Sequence, residues 1–114
     1  MSKPFAAALF LKRLQPLVAA RKVVFKPRNA RKTLEFMLGE RIFEEDVYQI
    51  LEKLRLEHYE WGPDEDRDGS GGNVMVFFYP YRAKRLYIKL KIWTDAHGDD
   101  ACGVLSFHEE GTYE

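Results

Sequence analysis

A chain of 114 residues, 46% apolar and 32% charged, is typical of one globular domain with a single core, expected to span residues 1–114. Eighteen basic and eighteen acidic side chains cancel, so the net charge excludes neither an acidic nor a basic partner. The single cysteine, Cys102, excludes an internal disulfide and predicts a reducing, cytoplasmic location. No apolar run reaches the ~20 residues of a membrane span, so no membrane contact is expected.

The charges are unevenly distributed along the chain. Residues 1–34 carry nine basic residues and no acidic one, whereas residues 35–72 carry twelve acidic and four basic residues. A basic segment of this density favours a polyanion such as RNA as a partner. The alternative is a solvated basic surface that the acidic middle of the chain balances.

The first half of the chain is predicted to be mainly helical. Pro4 is a favourable first residue for a helix through "FAAALFLKRL", and the charges of Lys12 and Arg13 distinguish this stretch from a signal peptide. Because Pro16 lacks an amide donor, we expect a kink or a new helix there. The stretch "KVVFKP" is then a short strand that Pro27 closes.

Two more helices are predicted to follow this strand. Asn29 is a suitable N-cap for the helix "ARKTLEFML", which Gly39 should end. In "EEDVYQILEKLRL", helical spacing places four apolar side chains on one face: Val47, Ile50, Leu51 and Leu54. We expect this face to pack against a sheet formed by the rest of the chain.

Glycine and proline mark residues 60–73 as a polar loop, and its acidic stretch "DEDRDGSGG" lacks the ligand spacing of a calcium loop. No metal and no cofactor are therefore expected. Three strands joined by short turns follow, "VMVFFYPY", "RLYIKLKIW" and "CGVLSFH", which predicts an antiparallel meander of three or four strands from residue 74 onward. The fold class is thus α+β, with a helical N-terminal half packed on a C-terminal antiparallel sheet.

The middle strand, "LYIKLKIW", alternates apolar residues with a phenol, two ammonium groups and an indole. A period of two predicts that one set faces the core and the other faces away: Leu86, Ile88, Leu90 and Ile92 against Tyr87, Lys89, Lys91 and Trp93. The same alternation on the last strand separates a core pair from an opposite set: Leu105 and Phe107 against Val104, Ser106 and His108.

Tyr87, Lys89 and His108 are therefore predicted to form a cluster on one open surface of the sheet. Their chemistry suits RNA cleavage without a metal, which needs a base for the ribose 2′-OH, a cation for the phosphoryl oxygens and an acid for the departing 5′-oxygen. Histidine titrates near neutral pH and can be either acid or base. The alternative is a solvated face without chemistry.

Several short motifs, in order over residues 12–109, resemble those of MqsR-type toxins of type II toxin–antitoxin modules, within the wider RelE-like group. "EHYEWGPDEDRD" is similar to the family's "DY..GPE.D" stretch, and "VMVFF" is similar to its "WVF" strand, with Met75 in place of tryptophan. "LYIKLKI" resembles the family's "VYIKLK" strand, and "GVLSFHEE" resembles its closing "SFH" strand. Two positions depart from the family pattern, since Glu60 lies near a family lysine and Val76 near a family glutamine.

The resemblance implies a single toxin-like domain, an endoribonuclease that cuts mRNA without a metal and that an antitoxin protein silences. It places Tyr87 on a family active-site tyrosine and His108 on a position that is lysine or histidine in the family. Lys89 completes the predicted catalytic set. RNA binding is assigned to basic residues of the first third and of the sheet: Arg28, Arg31, Lys32, Arg82, Lys84 and Lys91. A non-catalytic module that binds RNA or an antitoxin on the same fold is the alternative.

Overall fold

The helices lie mostly in the first half of the chain and the strands mostly in the second, as a computed structural model shows for residues 3–65 and 71–111. This confirms the predicted α+β class. The elements, in chain order, are α1 (Lys3–Ala19), β1 (Val23–Phe25), α2 (Ala30–Glu40), α3 (Glu44–Glu52), a 3-10 turn (Leu56–His58), β2 (Tyr59–Glu65), β3 (Asn73–Tyr81), β4 (Lys84–Thr94) and β5 (Asp100–Glu109). Among the described residues, no helix is long and apolar enough to cross a membrane.

The sheet has five strands in the order β1-β5-β4-β3-β2. Strands β3 to β5 form the predicted antiparallel meander, and β2 adds a further antiparallel strand to it. β1 lies parallel to β5, so the sheet is mixed and the prediction of a purely antiparallel sheet is wrong. The physical reason is that short turns dictate the direction of consecutive strands only. Because two helices separate β1 from the meander, β1 is free to join the sheet edge in either direction.

The prediction of a loop from residue 60 is also wrong, because β2 occupies Tyr59–Glu65 and pairs with β3. Its Gly62 has a φ of 111°, and a Cβ atom at that position would lie 2.6 Å from the carbonyl oxygen of Val74. Glycine is therefore required for this close approach, and an edge strand tolerates the adjacent Pro63. The centre of the predicted acidic loop, residues 66–70, lies outside the described residues.

Helix α1 continues through Pro16, so the alternative in which a new helix begins there is wrong. Proline removes one hydrogen bond of the helix, but tertiary packing compensates, since a stripe of α1 is buried: Ala7, Phe10, Leu11, Leu14 and Val18. Asn29 caps α2 as predicted, with its side chain accepting from the Lys32 amide at 3.3 Å. The helix ends at Glu40 and not at Gly39, because Arg41 adopts the left-handed conformation that closes it.

Helices α1 and α2 cover one face of the sheet. The Phe10 ring of α1 lies 6.0 Å from that of Phe77 in β3, and both side chains are buried. The predicted apolar face of α3 is also buried and belongs to the same core as the sheet, where α3 contacts α1 and its Tyr48 hydroxyl donates to the Val23 carbonyl of β1 at 3.1 Å. All six apolar side chains predicted to be buried in the sheet are buried: Leu86, Ile88, Leu90, Ile92, Leu105 and Phe107.

A β-bulge in β5 changes which side of the sheet its residues face. Lys89 pairs with Ser106 and Leu90 pairs with Val104, which leaves Leu105 as an extra residue between them. Val104 therefore joins the helix-covered core, whereas Leu105 is buried outside it. The predictions that Val104 shares a face with Ser106 and His108, and that Leu105 shares the core face with Phe107, are wrong because strict alternation ignores the bulge.

Cys102 lies at the centre of this core and is fully buried. Burial disfavours the charged thiolate and raises the pKa of the Cys102 thiol to about 12. Since the thiolate is the nucleophile, only ~10⁻⁴ of the thiol is reactive at pH 8. We expect iodoacetamide to leave the folded protein unmodified at this pH and to alkylate Cys102 after denaturation, as measured by intact mass. Equal alkylation rates in both states would contradict the buried position.

Candidate functional site

The face of the sheet opposite α1 and α2 carries the polar half of "LYIKLKIW". Cross-strand pairing aligns Phe78, Tyr87 and His108 in one row, and Val76, Lys89 and Ser106 in the next. We call this surface the open face. Its members on the three central strands are Val74, Val76, Phe78, Tyr87, Lys89, Lys91, Trp93, Ser106 and His108.

Tyr87 and His108 form a stacked pair on the open face. Their ring centroids are 5.1 Å apart and their planes differ by 6°, while the Phe78 ring lies 5.9 Å from Tyr87 on the other side. Tyr87 is half-buried, and only 8% of His108 is exposed. The structure therefore brings together the two side chains that the sequence selected, with the phenol between the imidazole and Phe78.

The orientation of the His108 ring is fixed by its own strand. Its Nδ1 lies 2.9 Å from the carbonyl oxygen of Glu109. A carbonyl oxygen only accepts, so Nδ1 carries a hydrogen and donates it. In the neutral imidazole the ring lone pair then lies on Nε2.

Lys89 lies in the wall of an open pocket of about 470 Å³ beside the stacked pair. Tyr87 also reaches this pocket, whereas His108 lies behind Tyr87 and outside the wall. The pocket extends from β4 across β3 to β2, and its remaining lining residues are Arg28, Glu60, Trp61, Glu65, Val74, Val76 and Phe78. Cations and carboxylates therefore line the same cavity.

The β2 side of this pocket was not found from the sequence. Glu60, Trp61 and Glu65 belong to a segment whose glycine and proline indicate a loop, so they were not expected on the sheet. The available signal was an indole flanked by carboxylates in "EWGPDE", since a tryptophan is unusual in a solvated loop.

Lys91 and Trp93 lie further along β4 and pack against each other. The Lys91 Nζ is 5.7 Å from the Trp93 ring centroid, and the Lys26 Nζ is 5.3 Å from it. The ring lies over Gly103, where a Cβ atom would be 3.4 Å from it. Only 8% of Lys91 is exposed, so its side chain also packs on the indole, and its RNA binding stays a prediction.

The other predicted RNA-binding residues are separated in space. Arg28 reaches the pocket from the segment after β1, where its amide donates to the Leu105 carbonyl at 3.0 Å. Arg31 and Lys32 lie in the first turn of α2, and the Arg31 guanidinium donates to Glu35 at 2.9 Å. Only Arg28 of these three lines the pocket, and the assignment of the other two stays a prediction.

Arg82 and Lys84 lie at the turn between β3 and β4, away from the pocket. The Arg82 guanidinium donates to the main-chain carbonyl of Glu40. The Lys84 Nζ lies 3.9 Å from the carboxylates of both Glu40 and Glu109. The structure gives both side chains a role in tying the turn to α2 and β5, and their RNA binding stays a prediction.

Part of the basic charge of the first third is paired with acidic residues from later in the chain. Arg13 and Asp100 form an ion pair at 2.7 Å that joins α1 to β5, and this contact lowers the pKa of the Asp100 carboxyl. Arg21 bridges Glu45 and Glu52 of α3, which raises the pKa of its guanidinium. The uneven charge of the sequence is therefore in part a set of contacts between helices and sheet.

No group of three or more histidine, cysteine, aspartate or glutamate side chains is arranged to hold a metal ion among residues 3–65 and 71–111. The arrangement places an imidazole, a phenol and two cations at or beside a cavity. No family model, curated protein or solved structure matches this chain.

Proposed function

We propose that this chain is a metal-independent endoribonuclease that cleaves mRNA, the toxin of a type II toxin–antitoxin module with a RelE-like fold. The observation that carries the proposal is the stacked pair of Tyr87 and His108 next to Lys89 at the open pocket. Histidine can supply the base and lysine the cation that 2′-OH chemistry requires, and the two lie on neighbouring strands of one sheet. The α+β order of elements and the motif resemblance support the family assignment.

In the proposed reaction the ribose supplies the nucleophile. The 2′-oxygen attacks the adjacent phosphorus while the Nε2 of neutral His108 takes the 2′-OH proton. The bond from phosphorus to the 5′-oxygen breaks, and that oxygen takes a proton from water in the open pocket. The products are a 2′,3′-cyclic phosphate and a free 5′-OH.

The cations of the pocket would act on the phosphate. As the 2′-oxygen attacks, negative charge grows on the phosphoryl oxygens, and Lys89 and Arg28 line the cavity where those oxygens would lie. Tyr87 lines this cavity and stacks on His108, so its phenol is placed to orient the phosphate beside the imidazole. In this proposal His108 takes the proton, Lys89 stabilises the charge and Tyr87 orients the phosphate.

Two observations favour a second candidate, a non-catalytic module that binds RNA or an antitoxin on the same fold. His108 is only 8% exposed and lies outside the pocket wall, which restricts access of a substrate to its Nε2. Glu60 and Val76 line the pocket where the family pattern has lysine and glutamine. Such a module would bind its partner through the same open face without cutting RNA.

Cleavage of a defined RNA by the purified protein distinguishes the two candidates. We expect cutting to continue in EDTA, and the products should carry a 2′,3′-cyclic phosphate or a 3′-phosphate. A single 2′-deoxy nucleotide at the cut position should abolish cutting there, because the nucleophile is missing. Product ends are identified by mass spectrometry.

The matched control is the same oligonucleotide with the 2′-deoxy substitution one position away, which should be cut normally. Induced expression should arrest growth, and co-expression of the antitoxin should restore it. Binding of RNA without any cleavage would support the non-catalytic module and overturn the proposed enzyme.

A further inference from the structure

Trp61 presents an indole to the same pocket that holds Tyr87 and Lys89, and 42% of the residue is exposed. It lies on the edge strand β2 and pairs with Val76, whose side chain is part of the pocket floor. The pairing of Asp64 with Val74 continues the attachment of this part of β2 to β3. The indole is therefore attached to the sheet and still open to a ligand.

The charges of the pocket separate by strand. Glu60 and Glu65 come from β2, whereas Lys89 comes from β4 and Arg28 from the segment after β1. A carboxylate repels a phosphate, so the β2 side is unsuited to the RNA backbone. It is suited to a nucleobase, since a carboxylate accepts hydrogen bonds from amino groups at the base edge and an indole stacks on its ring.

The distance from β2 to β4 fits a nucleotide whose base lies at β2 and whose phosphate lies at β4. Strands β2 and β4 both flank β3, and two strand spacings amount to roughly 10 Å. One nucleotide can bridge such a distance, with its phosphate near Lys89 and its base against Trp61. The apolar floor of Val74, Val76 and Phe78 lies between the two ends.

We propose that Trp61 is a specificity-determining residue that stacks a nucleobase next to the cleaved phosphate, and that Glu60 and Glu65 select a base with an exocyclic amino group over uracil. This inference rests on the proposed function for the identity of the ligand. Uracil presents two carbonyl oxygens beside its single N–H and would set them against the carboxylates, whereas cytosine and adenine present an amino group.

The test uses short 2′-O-methyl oligonucleotides of A, C or U, which bind without being cut. The chain has two tryptophans, so Trp93→Phe leaves Trp61 as the sole indole reporter. We expect its fluorescence to be quenched by the A and C oligonucleotides more than by U. In Trp61→Ala, affinity measured by anisotropy should fall about 5- to 150-fold, the range for loss of one stacked base.

Two further variants test the roles of the aromatic ring and of the two carboxylates. Trp61→Phe should retain most of the affinity, because a smaller aromatic ring still stacks on a base. Glu60→Gln combined with Glu65→Gln should abolish the preference of A and C over U, because an amide can also donate to a carbonyl oxygen. Unchanged affinity in folded Trp61→Ala, or an unchanged preference in the double glutamine variant, would overturn the inference.

The outcomes also separate this inference from the proposed function. Base-selective binding that depends on Trp61, without cleavage of unmodified RNA, supports the stacking site and rejects the enzyme. Cleavage of unmodified RNA at an unchanged rate and base preference in Trp61→Ala supports the enzyme and rejects the stacking site.

Discussion

Replacing His108 with alanine is expected to lower the rate of RNA cleavage by a factor of ~10²–10⁴, the usual effect of losing one proton-transfer group. The reason is the fixed ring: Nδ1 donates to the Glu109 carbonyl at 2.9 Å, so all proton exchange falls to Nε2. The expected signature is a fall in kcat with little change in KM, measured with a short RNA substrate.

His97→Ala is the matched control for this substitution. His97 lies in the turn between β4 and β5, is exposed and lies outside the pocket, so its removal should leave cleavage unchanged. A second variant, His108→Asn, keeps a side-chain amide that can donate to the Glu109 carbonyl but offers no group that titrates near neutral pH. Folded His108→Ala and His108→Asn proteins that cut RNA at the parental rate would exclude His108 from the reaction.

The second large effect concerns stability. Phe77→Ala is expected to lower the free energy of unfolding by about 3–5 kcal/mol, out of a total of roughly 5–15 kcal/mol for a domain of this kind. Phe77 is fully buried and contacts Phe10 of α1, so the truncation opens a cavity between helix and sheet. Urea denaturation followed by circular dichroism measures this difference.

Phe43→Ala is the matched control, because it removes the same side chain from the start of α3, where 63% of Phe43 is exposed. This substitution should change the free energy of unfolding by less than about 0.5 kcal/mol. Neither Phe43 nor Phe77 lines the pocket, so the comparison leaves the candidate site untouched. Similar losses of stability in both variants would show that α1 does not cover the sheet at Phe77.

The part of the fold that the sequence predicted is the part with a regular period. The alternation in β4 assigned each residue from Leu86 to Trp93 to the correct face, because successive side chains of a strand point to opposite faces. Burial of the apolar face then fixes the register of β4 with its neighbours. That alternation also placed Tyr87 and Lys89 together. His108 followed because it pairs directly with Tyr87 across the β4–β5 ladder.

The parts that the sequence did not predict depend on contacts between distant residues. The bulge at Leu105 changes the phase of β5, and no local pattern marks it. The composition of β2 indicates a loop, but β2 pairs with β3 because Gly62 allows the main chain of β3 to approach closely. The pocket wall at Trp61 was therefore missed together with its strand.

The place of β5 in the sheet has a consequence for how the molecule folds. This strand lies between β1 and β4, and the contact of Arg13 with Asp100 joins residues 87 positions apart. Contacts this distant in sequence carry a large loop-closure cost and are slow to form. The local β3–β4 hairpin can form early, whereas the parallel pairing with β1 must await β5. The stacking of His108 on Tyr87 belongs instead to the β4–β5 hairpin, whose strands are joined by a short turn, so this pair can form before β1 joins the sheet.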